Sequence, residues 1–196
     1  MKKIFFIALF ILGVLIYTNK IGDNFHEVSK SKFYRSALMS ADNLSERIRK
    51  NHIKLVFNLI GEARADWYDD EVEATEKAGA QHESISLSAT HLPEPEKLEQ
   101  IFKRFEAGPY PMLIHCHGGS DRSGLVSVLY LMVVEKKPLD EALSQLSLHY
   151  GHFSVGGTKA MDDFFELYRK TNHGQDIATW SRTTYATLLY SSTSPV

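Results

Sequence analysis

Within ten residues the run His115-Cys116-His117-Gly118-Gly119-Ser120-Asp121-Arg122-Ser123-Gly124 gathers a thiol, a guanidinium, two hydroxyls, a carboxyl and three glycines. It follows Met112-Leu113-Ile114, which reads as a short buried strand, and precedes an apolar helix over Leu125 to Val134. A strand that turns through glycines into a helix aims a row of backbone N–H groups, and the positive end of the helix dipole, at one point. That point is an anion site. Cys116 stands at its bottom, and Arg122, six residues on, can return to bracket two oxygens of a tetrahedral dianion. Such a field favours the thiolate, the nucleophilic form of cysteine.

The chemistry implied is in-line attack of Cys116 on phosphorus to give a phosphocysteine that water then hydrolyses. The loop 117–122 (His117, Gly118, Gly119, Ser120, Asp121, Arg122) holds the equatorial oxygens. Ser123 is expected to donate its hydroxyl to the cysteine sulfur and ease departure of the thiolate. His115 is expected to fix the loop by hydrogen bonds, and Gly118, Gly119 and Gly124 to let the backbone approach the anion without side-chain clash. The competing reading is a tight strand-to-helix turn with an incidental cysteine. The combination of His, Cys, Gly, Arg and Ser at these spacings arises from this composition on the order of once in a hundred thousand draws, so that reading is the weaker one.

Several elements must position this loop. Ser40 can cap a helix over Ala41 to Lys50, and Leu55 to Ile60 reads as a buried strand ended by Gly61. Asp66 can cap a helix through Lys77 with Gly79 as its stop, and His82 to Leu87 alternates as another strand. Pro93 and Pro95 open a helix ended by Gly108-Pro109, with Leu98, Ile101, Phe102 and Phe105 on one side. Helices over about Leu139 to His149 and Thr158 to Lys170 follow. Strands alternating with helices predict an α/β fold: a central mixed sheet of about four to five strands flanked by helices on both faces.

The chain has 196 residues, 43% hydrophobic and 23% charged, which suits one ordinary domain with short appendages. Lys and Arg total 22 against 24 for Asp and Glu, a net charge of -2 that offers no attraction to phosphate polymers, so no nucleic-acid partner is expected. The one cysteine excludes an internal disulfide and a cysteine-rich zinc site. No metal and no cofactor is expected. His149 and His152 lack further ligands and read as polar core residues, while Asp69, Asp70, Glu71 and Glu73 read as a solvated helix face. Arg64 is expected at the pocket rim or in a surface ion pair.

Lys2-Lys3 precedes fourteen uncharged residues, Ile4 to Tyr17, the layout of an export segment. As a helix it would rise roughly 21 Å, short of the roughly 30 Å hydrocarbon core. Thr18-Asn19-Lys20-Ile21 offers no small-residue processing site, which favours an uncleaved signal anchor over a cleaved leader. Either places the rest of the chain across the membrane: anchored in an inner membrane facing the periplasm, or free in the periplasm. The expected division is residues 1–23 as anchor and tether, 24–170 as the catalytic domain and 171–196 as a C-terminal helix and loose tail. Trp180, Tyr185 and Tyr190 would dock that helix.

His115 to Ser123 resembles the His-Cys-x-x-Gly-x-x-Arg-Ser/Thr signature of the cysteine-based protein tyrosine and dual-specificity phosphatases. Phe33-Tyr34-Arg35-Ser36, Val56-Phe57-Asn58-Leu59, Leu146-Ser147 and Tyr150-Gly151-His152 are similar to the small bacterial dual-specificity-like members, some of them exported. The resemblance implies a protein-tyrosine-phosphatase-like fold and metal-free hydrolysis of phosphomonoesters, with phosphorylated protein, phosphotyrosine preferred, as partner. The family usually protonates the leaving oxygen with an Asp about thirty residues before the cysteine, but Ser88 to Glu96 contains none. Asp121 is the nearest replacement, resembling the myotubularin and Sac arrangement; Glu94 and His91 are alternatives. Against these stand plain helix N-terminal roles for Asp121, Glu94 and Glu96. Two other functions remain open: a phosphatase of phosphoinositides or small phosphate esters, and a noncatalytic phosphate-binding module. The neutral to acidic loop disfavours polyphosphorylated rings, and an intact Cys116 and Arg122 disfavour the bare binder.

Overall fold

The computed structural model describes residues 23–193. The expected anchor and most of its tether therefore lie outside the described residues, as does the very end of the tail.

Five strands form one sheet in the order β1-β2-β5-β3-β4. They are β1 (His26–Ser29), β2 (Phe33–Ala37), β3 (Leu55–Asn58), β4 (Gln81–Ser84) and β5 (Met112–Cys116). Only β1 runs antiparallel to its neighbour, so the sheet is mixed, as expected. The helices are α1 (Ala41–Asn51), α2 (Asp66–Lys77), α3 (Pro95–Ala107), α4 (Asp121–Val133), α5 (Leu139–Ala142), α6 (Ala160–Thr171), α7 (Ile177–Trp180) and α8 (Ala186–Thr193). Period-two alternation sorts the central strands between two cores. Tyr34, Val56 and Leu113 join Leu44 and Ile48 of α1 on one face. Phe33, Leu55, Phe57, Met112 and Ile114 join α3, α4 and α6 on the other. The central helix α4 is buried from Ser123 to Leu131, so its foot, where the loop ends, is rigidly seated.

Ser40 caps α1 as expected, its hydroxyl accepting from the Asn43 amide at 3.3 Å. Four local expectations need correcting. At α2 the cap is Ala65, and Asp66 is the first helical residue without a side-chain cap bond. The strand placed at His82 to Leu87 is Gln81–Ser84, although Ile85 and Leu87 still donate to the Asn58 and Leu59 carbonyls. The helix placed at Thr158 begins at Ala160, after a 3-10 turn over Gly156–Lys159. The helix expected over Leu139 to His149 breaks into α5 and 3-10 turns at Leu143–Gln145 and Leu148–Tyr150. In that broken stretch the Gln145 carbonyl faces β2 and accepts from Arg35 at 2.6 Å.

The C-terminal segment is part of the core. Trp180 and Tyr185 are fully buried, Trp180 packs edge-on to Phe164, and the Tyr185 hydroxyl donates to the Pro93 carbonyl at 2.6 Å. Tyr190 reaches Glu96 at the start of α3.

Candidate active site

The loop between β5 and α4 is shaped from behind. The His117 carbonyl accepts from the Leu38 amide at 3.3 Å. The Gly118 carbonyl accepts from Asn24 Nδ2 at 2.9 Å and from the Ser120 hydroxyl at 3.2 Å. The Gly119 and Ser120 carbonyls accept from Arg35 Nη2 at 2.7 and 3.0 Å. In a trans peptide the N–H points opposite to the C=O. Four successive peptide units therefore turn the N–H groups of Gly118, Gly119, Ser120 and Asp121 away from these donors. None of the four finds an acceptor among the described residues. Together with the start of α4 they make an anion cradle.

Two glycines are required by this shape. Gly119 has φ +69°, and a Cβ there would fall 2.6 Å from the Ala37 nitrogen and the Ser36 carbonyl carbon. A Cβ on Gly124 would meet Leu146 at 2.6 Å and the Gln145 carbonyl oxygen at 3.0 Å. Gly118 is exposed and has no such constraint.

Cys116 ends β5, is 2% exposed and carries a free thiol. Arg122 sits on the first turn of α4 with Nη1 3.4 Å from the Leu87 carbonyl and 3.5 Å from the Leu59 carbonyl, so the segments that follow β3 and β4 steady the guanidinium. The exposed His117 ring faces Trp67 of α2 at 6.0 Å. Burial first, then the nearby Arg122 and His115, hold its pKa below the ordinary value. The Ser123 hydroxyl donates to the Ser36 carbonyl at 3.4 Å, tying α4 to β2.

The two candidate acid regions are built differently. Asp121 Oδ1 lies 2.6 Å from His152 Nδ1, and Asp162 of α6 takes the other ring nitrogen at 2.9 Å. Burial pushes the His152 pKa down, but hydrogen bonds to the two carboxylates outweigh it and the net shift is upward. His91 and Glu94 lie on the loop before α3 and line a small cleft of about 150 Å³ with Leu87, Pro93 and Lys97. The His91 ring is held by Ser88 at 3.0 Å. Arg64 lines a surface hollow with Glu62, Asp66 and Asp69. His149 lies at the surface, its ring tilted against His26 and edge-on to Tyr150, so only His152 of that pair is a core residue. Among the described residues no group of three His, Cys, Asp or Glu side chains is placed to hold a metal ion.

Three residues that shape the site escaped the sequence reading. Glu71, taken for part of a solvated face, is 3% exposed. Its carboxylate accepts from Asn58 at 2.9 Å and His82 at 2.7 Å, and meets His115 at 3.2 Å. The His115 contact lies within ion-pair distance, with an angle outside strict hydrogen-bond geometry. The two histidines, His82 and His115, on separate strands are the signal that could have exposed Glu71. Arg35 and Asn24 are the other two; an arginine inside an aromatic strand run was the available sign for the first.

Residues 19–140, more than half of the chain, match the family model described as the tyrosine phosphatase family. No curated protein matches the sequence significantly. Among solved structures, Tk-PTP in its active form is 22% identical with a TM-score of 0.58, covering 76% of this chain and 97% of that one. TpbA of P. aeruginosa is 20% identical with a TM-score of 0.61, covering 84% and 92%. PTPMT1 is 16% identical with a TM-score of 0.55, covering 76% and 98%. The chain belongs to the tyrosine phosphatase family. It is a cysteine-dependent phosphatase.

Proposed function

We propose that this phosphatase dephosphorylates proteins, phosphotyrosine first, through a phosphocysteine on Cys116. The observation that carries the mechanism is the placement of the chain's one cysteine at the foot of a loop whose carbonyls are held from behind. Cys116 Sγ attacks phosphorus in line, and the P–O ester bond breaks with its electron pair on the leaving oxygen. The loop amides and Arg122 hold the three equatorial oxygens. Asp121 gives the leaving oxygen its proton. Water then attacks phosphorus, its proton passes to Asp121, the S–P bond breaks and inorganic phosphate leaves.

A second reading of the acid has its own observation. Asp121 already binds His152, a contact that suits a purely structural carboxylate, and on that reading the proton comes from Glu94 or His91 on the loop before α3. For the substrate, a solved complex of a cysteine-to-serine variant of TpbA holds pTyr and one of PTPMT1 holds PI(5)P. The neutral to acidic side chains of this loop favour the first class over polyphosphorylated rings. The Trp67–His117 pair also offers an aromatic flank to a phenyl ring.

We further propose that Ile4 to Tyr17 exports or anchors the chain, the support being two leading lysines and an uncharged run. Among the described residues no helix is long and apolar enough to cross a membrane, and this segment lies outside them. The decisive assay for the phosphatase mechanism is hydrolysis of p-nitrophenyl phosphate in EDTA by the full chain and by Cys116→Ser. The proposal requires parent turnover that the substitution abolishes while phosphate binding persists; equal turnover of the two proteins would remove Cys116 from the reaction.

A further inference from the structure

Arg35 lies in the middle of β2 with no exposed surface. Its Nη1 donates to the Gln145 carbonyl at 2.6 Å and to Gln145 Oε1 at 3.0 Å, and its Nη2 to the Gly119 and Ser120 carbonyls. The face of Tyr150 covers it, 4.1 Å from the guanidinium carbon. Every acceptor is neutral, Nε has no partner, and no carboxylate among the described residues lies within ion-pair distance. Burying a cation with no counter-charge in direct contact costs several kcal/mol. Burial lowers the Arg35 pKa to about 10 against the pull of Tyr150, Cys116 and Asp121, so the group stays protonated at neutral pH. His26 also lies within its field, and its pKa is lowered to about 4, by burial first and then by Arg35 and His149. A full positive charge therefore sits directly behind the phosphate loop.

The two carbonyls it holds belong to the peptide units Gly119–Ser120 and Ser120–Asp121. A peptide unit is planar and conjugated, so a cation on its oxygen draws electron density from its nitrogen. The N–H on the opposite side becomes a stronger donor, as in any hydrogen-bond chain. Those N–H groups, of Ser120 and Asp121, are two of the four that turn into the cradle.

We infer that Arg35 is a positioning residue that carries its charge through these two peptide units to the phosphoryl group, and that its counter-ion is the bound dianion. Arg122 grips that dianion from in front; Arg35 acts from behind without touching it. The inference rests on the loop being the phosphate site of the proposed function.

The test is binding of tungstate, a tetrahedral dianion, to the full chain carrying Cys116→Ser, alone and combined with Arg35→Lys or Arg35→Met. The thermal midpoint without anion is followed alongside, and p-nitrophenyl phosphate turnover is measured in the same Arg35 variants with Cys116 present. Methionine should weaken tungstate binding about tenfold or more and lysine by less than that, whatever either does to the midpoint. The fall in turnover should follow the same order. Methionine binding close to the parent's, or lysine losing as much as methionine, overturns the inference, because shape and not charge would then be what the loop needs. Should Arg35→Met fail to fold, lysine decides alone: a loss below about tenfold supports the inference and a larger one overturns it. A chain with Arg35 intact that neither binds tungstate nor turns over would instead sink the phosphate-site reading itself.

Discussion

Glu71 Oε1 stands 3.2 Å from Nε2 of His115, the residue directly before the cysteine at the foot of the loop. With His82 on the other side, this puts a buried carboxylate between two imidazoles under the catalytic strand. Burial pushes the Glu71 pKa up, but His115 and His82 outweigh it and bring the group from 4.5 down to about 2. A depressed carboxyl contributes stability that is present above its unfolded value and is lost as pH falls through the folded one. A shift of this size is worth on the order of 3 kcal/mol. Urea unfolding of the parent should lose about that much between pH 5 and pH 2, and Glu71→Gln should lose much less over the same interval. Parallel losses in the two proteins would show that the pair does not govern acid stability.

His152 behaves in the opposite sense. Its raised pKa contributes stability that is fully present below the unfolded value and disappears as pH rises through the folded value. The window therefore opens at about 6.5 and extends upward. Thermal midpoints from pH 5.5 to 8.5 should fall more steeply for the parent than for His152→Gln, and identical slopes would contradict the assignment.

The same contact bears on the proton donor. If Asp121 supplies the leaving-group proton, Asp121→Asn should slow aryl phosphates with poor leaving groups by about 10²-fold or more and p-nitrophenyl phosphate far less. Equal slowing of both would assign Asp121 to the anchoring of α4 on His152. Glu94→Gln and His91→Gln measured in the same series would then show which of them takes its place.

Much of this was legible because the β5 loop is written in local residues. A strand, glycines and an apolar helix around Cys116 and Arg122 state their purpose within ten positions. What stayed hidden acts across the fold. Arg35 and Gly119 are 84 positions apart and Asn24 and Gly118 are 94, and no local pattern reveals that a strand residue or the first described asparagine will hold a loop carbonyl. The hairpin of β1 and β2 was missed because β1 is four residues long at a sheet edge, with too few residues to establish an alternation. The Leu139 helix was overextended for a related reason: apolar spacing favours a helix there, and no local pattern shows that the chain breaks into 3-10 turns that bring the Gln145 carbonyl to Arg35.

Tyr185 gives a prediction about the C-terminal segment. Its buried hydroxyl donates to the carbonyl of Pro93, which lines the cleft with His91 and Glu94. Tyr185→Phe keeps the ring but leaves that carbonyl without its donor, which should cost about 1–3 kcal/mol in urea unfolding. A change within about 0.5 kcal/mol would mean that the carbonyl finds another donor.

Gly119 tests the geometry of the loop. Its φ of +69° and the 2.6 Å approach to β2 leave no room for a methyl group. Gly119→Ala should push the loop off Ser36 and Ala37 and lower kcat/KM by about 10²-fold, with far-ultraviolet circular dichroism unchanged. Normal turnover in that variant would mean the loop works in another conformation.

The most direct test is to catch the intermediate. The full chain is mixed with a radiolabelled phosphotyrosyl peptide, quenched in denaturant within the first turnover and digested. The label, and the added mass of one PO3 unit, should fall on the peptide containing Cys116 and be absent from Cys116→Ser. Turnover without any labelled protein in the first cycle, or label on a different residue, would contradict a phosphocysteine route.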